Sequence, residues 1–155
     1  MRSPVQRSFR TDYPETRPAS LIKRLMAMLY DFMLVLAIWV VTGFVAVALN
    51  DGEAVEGPLF NTALFCITFL FFGFFWTRLG QTLGMQAWRL RVQTLDGYRL
   101  SWSRALMRFM LAIISLIPLG LGYIWILFSD EKLAWHDKLS ETCIVQLPKT
   151  PRHDN

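Results

Sequence analysis

Histidine and cysteine are scarce in this chain, two of each, and charge is thin. Asp, Glu, Lys and Arg together make up 18% of the residues, against about a quarter in an ordinary soluble domain. Each shortage excludes something. Cys66 sits inside an apolar run and Cys143 near the C-terminal end, so the two form no disulfide framework. With so few imidazoles and thiols, a zinc site is not expected. GxSxG, HExxH, CxxC and the P-loop are all missing, which removes the usual signatures of hydrolase, zincin, thiol-redox and nucleotide chemistry. Neither an enzyme nor a bound cofactor is expected. The first twenty residues contain no apolar stretch, so no cleavable signal peptide is expected there.

What is plentiful is apolar surface. Hydrophobic residues reach 54%, with twelve Phe and six Trp in 155 residues, a length that suggests one domain. They gather into three runs: 25–49 with one charge, Asp31; 59–77 with none; and 109–129 with none. A membrane-spanning helix needs about 20 mostly apolar residues, and none of the runs has the polar face of a soluble core helix. The expected class is an all-α membrane protein of about three spans. Residues 1–18 read as a polar N-terminal tail, 19–147 as the transmembrane domain and 148–155 as a C-terminal tail. The net charge of +4 would suit nucleic acid in a soluble chain. Here the arginines flank apolar runs, so the lipid bilayer and its anionic headgroups are the expected partner and nucleic acid is not.

Lys and Arg set the expected orientation. Arg2, Arg7, Arg10, Arg17, Lys23 and Arg24 precede the first run. The loop 50–58 has Asp51, Glu53 and Glu56 and no base, whereas Arg78, Arg89, Arg91, Arg99, Arg104 and Arg108 lie between runs two and three. The N-terminus and the long second loop are therefore expected in the cytoplasm and the acidic loop outside. The third run is ambiguous, because Pro118, Gly120 and Gly122 interrupt its helical ladder. It reads either as a Pro-kinked crossing or as a broken segment that re-enters and returns the tail to the cytoplasm. Within the second loop, 88–94 alternates like a strand and Asp96-Gly97 signals a turn. Residues 98–102 read as a return strand, and Ser101 or Ser103 as the cap of the next helix. Residues 142–147 are strand-like too, and pairing with 88–94 would place the tail on the loop's side.

Asp31 is the first candidate for function. A carboxylate inside a membrane helix costs a few kcal/mol and usually faces a bundle interior or a water path. It lies two turns, about 10 Å, beyond Arg24 and on the same face. Two readings stand: an ion- or proton-coupling carboxylate, or an acid paired with a buried base that holds helices together. His136 and Asp137 are the second candidates. Adjacent residues do not face one another on a helix, so they form no ready dyad, but Asp137 can cap a helix or pair with Arg24, Arg104 or Arg108. Gly80 and Gly84 have GxxxG spacing, and beside Arg78 they read as a tight turn.

These residues carry a resemblance. Arg24 at the head of the first span, Asp31 within it and Asp137 in WHDKLSET resemble the arginine and two aspartates that name the RDD family. The stretch Gly80, Thr82 and Gly84, followed by a strand and a turn, is similar to that family's Gly-x-Thr-x-Gly segment. Met85 stands where members often carry Lys or Arg, and Glu141 where glycine is common. The resemblance implies a small multi-pass protein of the bacterial cytoplasmic (inner) membrane, with Arg24, Asp31 and Asp137 as the residues of interest. It also implies transport of an unassigned ligand, with a monovalent cation or a proton as the named possibility. Two functions follow as expectations. One is transport, or a transporter subunit, using Asp31; three spans scarcely enclose a path, so this needs a homo-oligomer or a membrane partner. The other is a non-enzymatic adaptor that docks a partner or anionic lipid through its basic loop. A lipid-directed enzyme using His136 and Asp137 is the weakest reading.

Overall fold

The computed structural model describes residues 16–116, 124–131 and 133–149. Helix α1, Leu21–Leu49, has 29 residues and extends about 44 Å at 1.5 Å per residue, more than the roughly 30 Å of a bilayer's hydrocarbon core. It begins four residues before the apolar run because Arg24 is drawn into the fold (3% exposed) rather than left at an interface. It ends where Asp51 and Gly52 take φ of 54° and 87°, and the Gly52 N–H turns back to the Val47 carbonyl at 3.0 Å. Helix α2, Pro58–Arg78, has 21 residues, about 32 Å, and Pro58 occupies the first turn, where a missing N–H costs nothing.

Both helices are long and apolar enough to cross a membrane. Their sides are largely open: Phe32, Phe44 and Phe74 are 60%, 74% and 52% exposed. Helices that are apolar all round and uncovered by their own chain belong in lipid or against other helices. Helix α3, Leu83–Ala87, is a single short turn. Helix α4, Trp102–Leu116, starts at Ser101, whose hydroxyl accepts the Arg104 N–H at 3.4 Å, as expected of a cap. It packs on α2 through rings spaced along one face. Phe65, Phe69 and Phe72 lie with centroids 5.5, 5.5 and 6.1 Å from Phe109. Gly73 leaves room for Trp102, since a Cβ there would come within 2.6 Å of the indole.

The polar end of the molecule is a small sheet, in which the two strand-like segments of the sequence pair with each other and take up a third strand. Strands β1 (Arg17–Pro18), β2 (Leu90–Thr94) and β3 (Thr142–Gln146) form it in the order β1-β3-β2, antiparallel throughout. In the β2–β3 ladder Leu90 faces Gln146 and Thr94 faces Thr142. β1 falls in residues read as tail; two residues ending in proline carry no strand signal, and only β3's free edge makes them one. The expected return strand over 98–102 does not form. The Val92 N–H on β2's other edge is already bonded to the Gly80 carbonyl at 2.7 Å. Tyr98 alone reaches Thr94, and Trp102 begins α4.

The third apolar run is not one continuous helix. α4 covers its first part, and a 3-10 turn at Trp125–Leu127 its last. The break anticipated at Pro118–Gly122 lies outside the described residues. Helix α5, Trp135–Leu139, then leads through Ser140 and Glu141 into β3. Glu141, where glycine is common in the resembling family, has φ 53°, a left-handed conformation that costs a residue with a Cβ about 1–2 kcal/mol. Its exposed pair with Arg104 at 3.2 Å returns less than about 1 kcal/mol. Glu141→Gly is therefore expected to raise stability by about 0.5–1 kcal/mol, read as a higher midpoint in thermal unfolding of the detergent-solubilised protein.

Candidate functional site

Asp137 is the meeting point of three elements. It lies in the first turn of α5, fully buried. Its carboxylate accepts from Arg24 Nη1 of α1 at 2.5 Å, from Arg108 Nη1 of α4, and from the Ala134 N–H at 3.2 Å. The last bond satisfies a free donor at the start of α5. Of the alternatives the sequence left for Asp137, capping, Arg24 and Arg108 all hold at once. Arg104 does not join: it pairs with Glu141 at the surface. Arg24 also donates through Nε to the Ala19 carbonyl at 3.1 Å and through Nη2 to the Ile144 carbonyl at 3.3 Å. One guanidinium thus ties α1 to β3 and to the segment before α1. Arg108 adds a bond to Thr142 Oγ1 at 2.6 Å and lies with its Cζ 5.3 Å from the centre of the Trp76 ring, a cation–π contact.

Burial alone would raise the Asp137 carboxyl, but Arg108, His136 and Arg24 outweigh it and hold the group down at about 2. His136, 3% exposed, has Nε2 3.5 Å from Asp137 Oδ1. Burial, and then the Arg108 charge, push its imidazole down to about 4. At neutral pH it is uncharged, so the two arginines hold Asp137 there. His136 and Asp137 are neighbours within one buried network.

Asp31, 2% exposed, has different partners. Its carboxylate accepts from Thr82 Oγ1, and from the Gly84 N–H at 2.9 Å. Thr82 in turn caps α3 by accepting the Met85 N–H at 3.2 Å. Of the two readings of Asp31, the pairing with a buried base gives way to a hydroxyl and a backbone amide. The glycine spacing splits likewise. Gly80, at φ 69°, ends α2 with its N–H on the Phe75 carbonyl, the turn that was expected. Gly84 is instead a close-approach residue, since a Cβ there would lie 2.3 Å from the Ala27 carbonyl oxygen and 2.9 Å from Asp31 Oδ1.

The two networks border one cavity of about 360 Å³ between α1, α2 and α4. α1 supplies positions 24, 27, 28, 31, 32, 35, 36 and 39, the i, i+3, i+4, i+7 series of one helix face. α2 supplies Thr68, Phe72 and Trp76, and α4 supplies Arg108, Phe109, Ala112 and Ile113. One end is therefore charged and the rest apolar. At the end away from Arg24, Trp39 Nε1 donates to Thr68 Oγ1 at 2.9 Å. Sequence reading missed Trp76, Thr142 and this wall. The stripe on α1 is invisible because the other faces of the helix are equally apolar. Among the described residues, no group of His, Cys, Asp and Glu is arranged to hold a metal ion.

A group whose folded-state pKa is depressed favours the fold above its unfolded value and loses that stability as pH falls. For His136 the window runs from 6.5 down to about 4, because the unfolded chain takes up a proton there and the folded one does not. Stability is expected to fall by roughly 3 kcal/mol from pH 7 to pH 4. His136→Gln is expected to flatten most of that slope, measured by denaturant unfolding in detergent at the two pH values.

A sequence model of the RDD family matches residues 18–141. No curated protein and no solved structure matches the chain. The matched span holds Arg24, Asp31 and Asp137 together with the Thr82 and Gly84 donors, and it covers most of the chain. With its two apolar helices, the chain is a membrane protein that belongs to the RDD family.

Proposed function

We propose that this protein handles a small solute in the membrane, as a transporter or a subunit of one, with the cavity between α1, α2 and α4 as the solute's site and Asp31 on its path. The observation that carries this reading is the cavity itself. It brings the intramembrane carboxylate and two arginines to the wall of an otherwise apolar space. Cation or proton coupling through Asp31 is the specific form proposed. The open faces of α1 and α2 are where copies of the chain, or a membrane partner, assemble to complete a path.

The proposed setting is the bacterial cytoplasmic membrane, crossed more than once. The sheet end, with residues 17–18, 90–94 and 142–146, faces the cytoplasm, and residues 50–57 face outside. The basic residues at the sheet end support this orientation. Shared strands support one side for both tails, and the return of the third run from Arg108 to Asp137 supports its re-entry rather than a straight crossing. A fluorescent protein fused after Asn155 is expected to light up in the cytoplasm, and a periplasmic alkaline phosphatase inserted at Gly52 to be active. The reverse pattern would sink the orientation.

A second reading is favoured by a specific observation. Both aspartates are fully engaged by donors, as parts of a framework are, so the triad fits a non-enzymatic adaptor whose basic sheet end docks a partner or anionic lipid. Cation-driven proton flux in proteoliposomes separates the two. Transport predicts flux with sodium or potassium that drops at least ten-fold in Asp31→Asn at equal folded protein. The adaptor predicts no flux in either form and a lower yield of folded Asp31→Asn.

A further inference from the structure

The charged end of the cavity holds more donors than acceptors. Arg108 Nε and Trp76 Nε1 are both buried and, among the described residues, have no hydrogen-bond partner. Their residues are 2% and 5% exposed, both line the cavity, and the guanidinium lies against the indole at 5.3 Å. Native structures rarely leave such groups unsatisfied without a reason. Both atoms are donors only, so an acceptor is what they lack. The nearby carboxylates are already taken: Asp137 accepts from Arg24, Arg108 and the Ala134 N–H, and Asp31 from Thr82 and Gly84.

The rest of the cavity is a slot for a chain. From Arg24 to Trp39 its wall on α1 runs about 22 Å along the helix axis, lined by Val35, Phe72, Phe109 and Ala112. Beyond Asp31, the cavity residues Phe32, Leu36, Trp39 and Ile113 are also exposed, so the slot opens sideways to the hydrocarbon. Its volume of about 360 Å³ lies at the small end of ligand pockets, which run about 300–1,000 Å³. That suits one chain and not the two of a phospholipid.

We infer that the cavity binds a single-chain anionic amphiphile, with its carboxylate or phosphate head against Arg108 Nε and Trp76 Nε1 and its alkyl chain along α1 toward Trp39. This deepens the solute-handling reading and rests on it for the site, but it concerns binding and needs no flux. Both heads offer the same acceptor oxygens, and the chain reaches the slot laterally from the bilayer.

The test uses the full chain in phosphatidylcholine nanodiscs. Fluorescent cis-parinarate is titrated, empty discs are subtracted, and dodecanoate, dodecyl phosphate, dodecanol and phosphatidylglycerol are the competitors. The expected result is saturable one-to-one binding displaced by an anion, with dodecanol at least ten-fold weaker. Stronger displacement by dodecanoate assigns a carboxylate head, and by dodecyl phosphate a phosphate head. Ala112→Phe, which narrows the slot without touching a polar group, is expected to weaken binding about ten-fold at an unchanged unfolding temperature. Trp76→Phe is expected to weaken the anions and spare the alcohol. Equal displacement by dodecanol or by phosphatidylglycerol, or indifference to both variants, overturns the inference. Saturable binding without flux in proteoliposomes removes the transport reading alone. Flux with no amphiphile displacement removes this inference alone.

Discussion

The fold depends on one buried carboxylate held by two cations from distant parts of the chain. Asp137 takes Arg24 from α1 and Arg108 from α4, residues separated from it by 113 and 29 positions. Taking these groups out of water is costly, and such a cluster adds little stability over a well-packed apolar one. Its consequence is specificity. Removing Asp137 strands two cations in a dry interior, at a cost on the order of 3–5 kcal/mol, so an arrangement that takes α5 away from α1 and α4 is not competitive. Arg24 extends the tie to Ala19 and Ile144, which fixes the sheet against the root of α1.

That clamp fixes the two flanks of the third apolar run. The chain leaves the sheet end through Arg108 and is back beside the same side chain at Asp137. Its flanks are therefore held at one end of the molecule, whatever course 117–123 take. A second clamp does the same for the loop after α2. Thr82 and Gly84 deliver a hydroxyl and an amide to Asp31, and glycine at 84 lets α3 approach the Ala27 backbone. Asp31 and Arg24, on one face of α1, thus dock two different segments onto it. Arg24 is committed to Asp137 and Asp31 to Thr82 and Gly84, which explains why the seven-residue spacing between Arg24 and Asp31 marks a shared face and not an ion pair.

With both clamps at one end, the apolar lengths of α1, α2 and α4 are left to pack by side-chain shape alone. α2 and α4 interlock through Phe65, Phe69, Phe72 and Phe109. Between this pair and α1 lies the cavity. An empty apolar slot of that size beside two arginines loses dispersion contacts on every wall, and a molecule that fills it restores them.

The sequence by itself determined the class and the ingredients. Run length and missing charges give three candidate spans, because the hydrocarbon sets how many residues a span needs, and among the described residues α1 and α2 are the helices long and apolar enough to cross. The pairing of 90–94 with 142–146 was legible in two β-prone segments with no other partner, and the cap at Ser101 in its hydroxyl. The order of Arg24, Asp31 and Asp137 marked the family. Only the tertiary structure decided which partners those residues take. Asp137 had three eligible arginines, and burial selected the two on elements that meet at α5. Asp31 had a coupling role or a buried base as its two readings, and a hydroxyl and a backbone amide, which no residue type announces, hold it. The cavity wall escaped detection for a related reason: in a helix apolar on every side, periodicity carries no signal, and only the neighbours packed against it define a face.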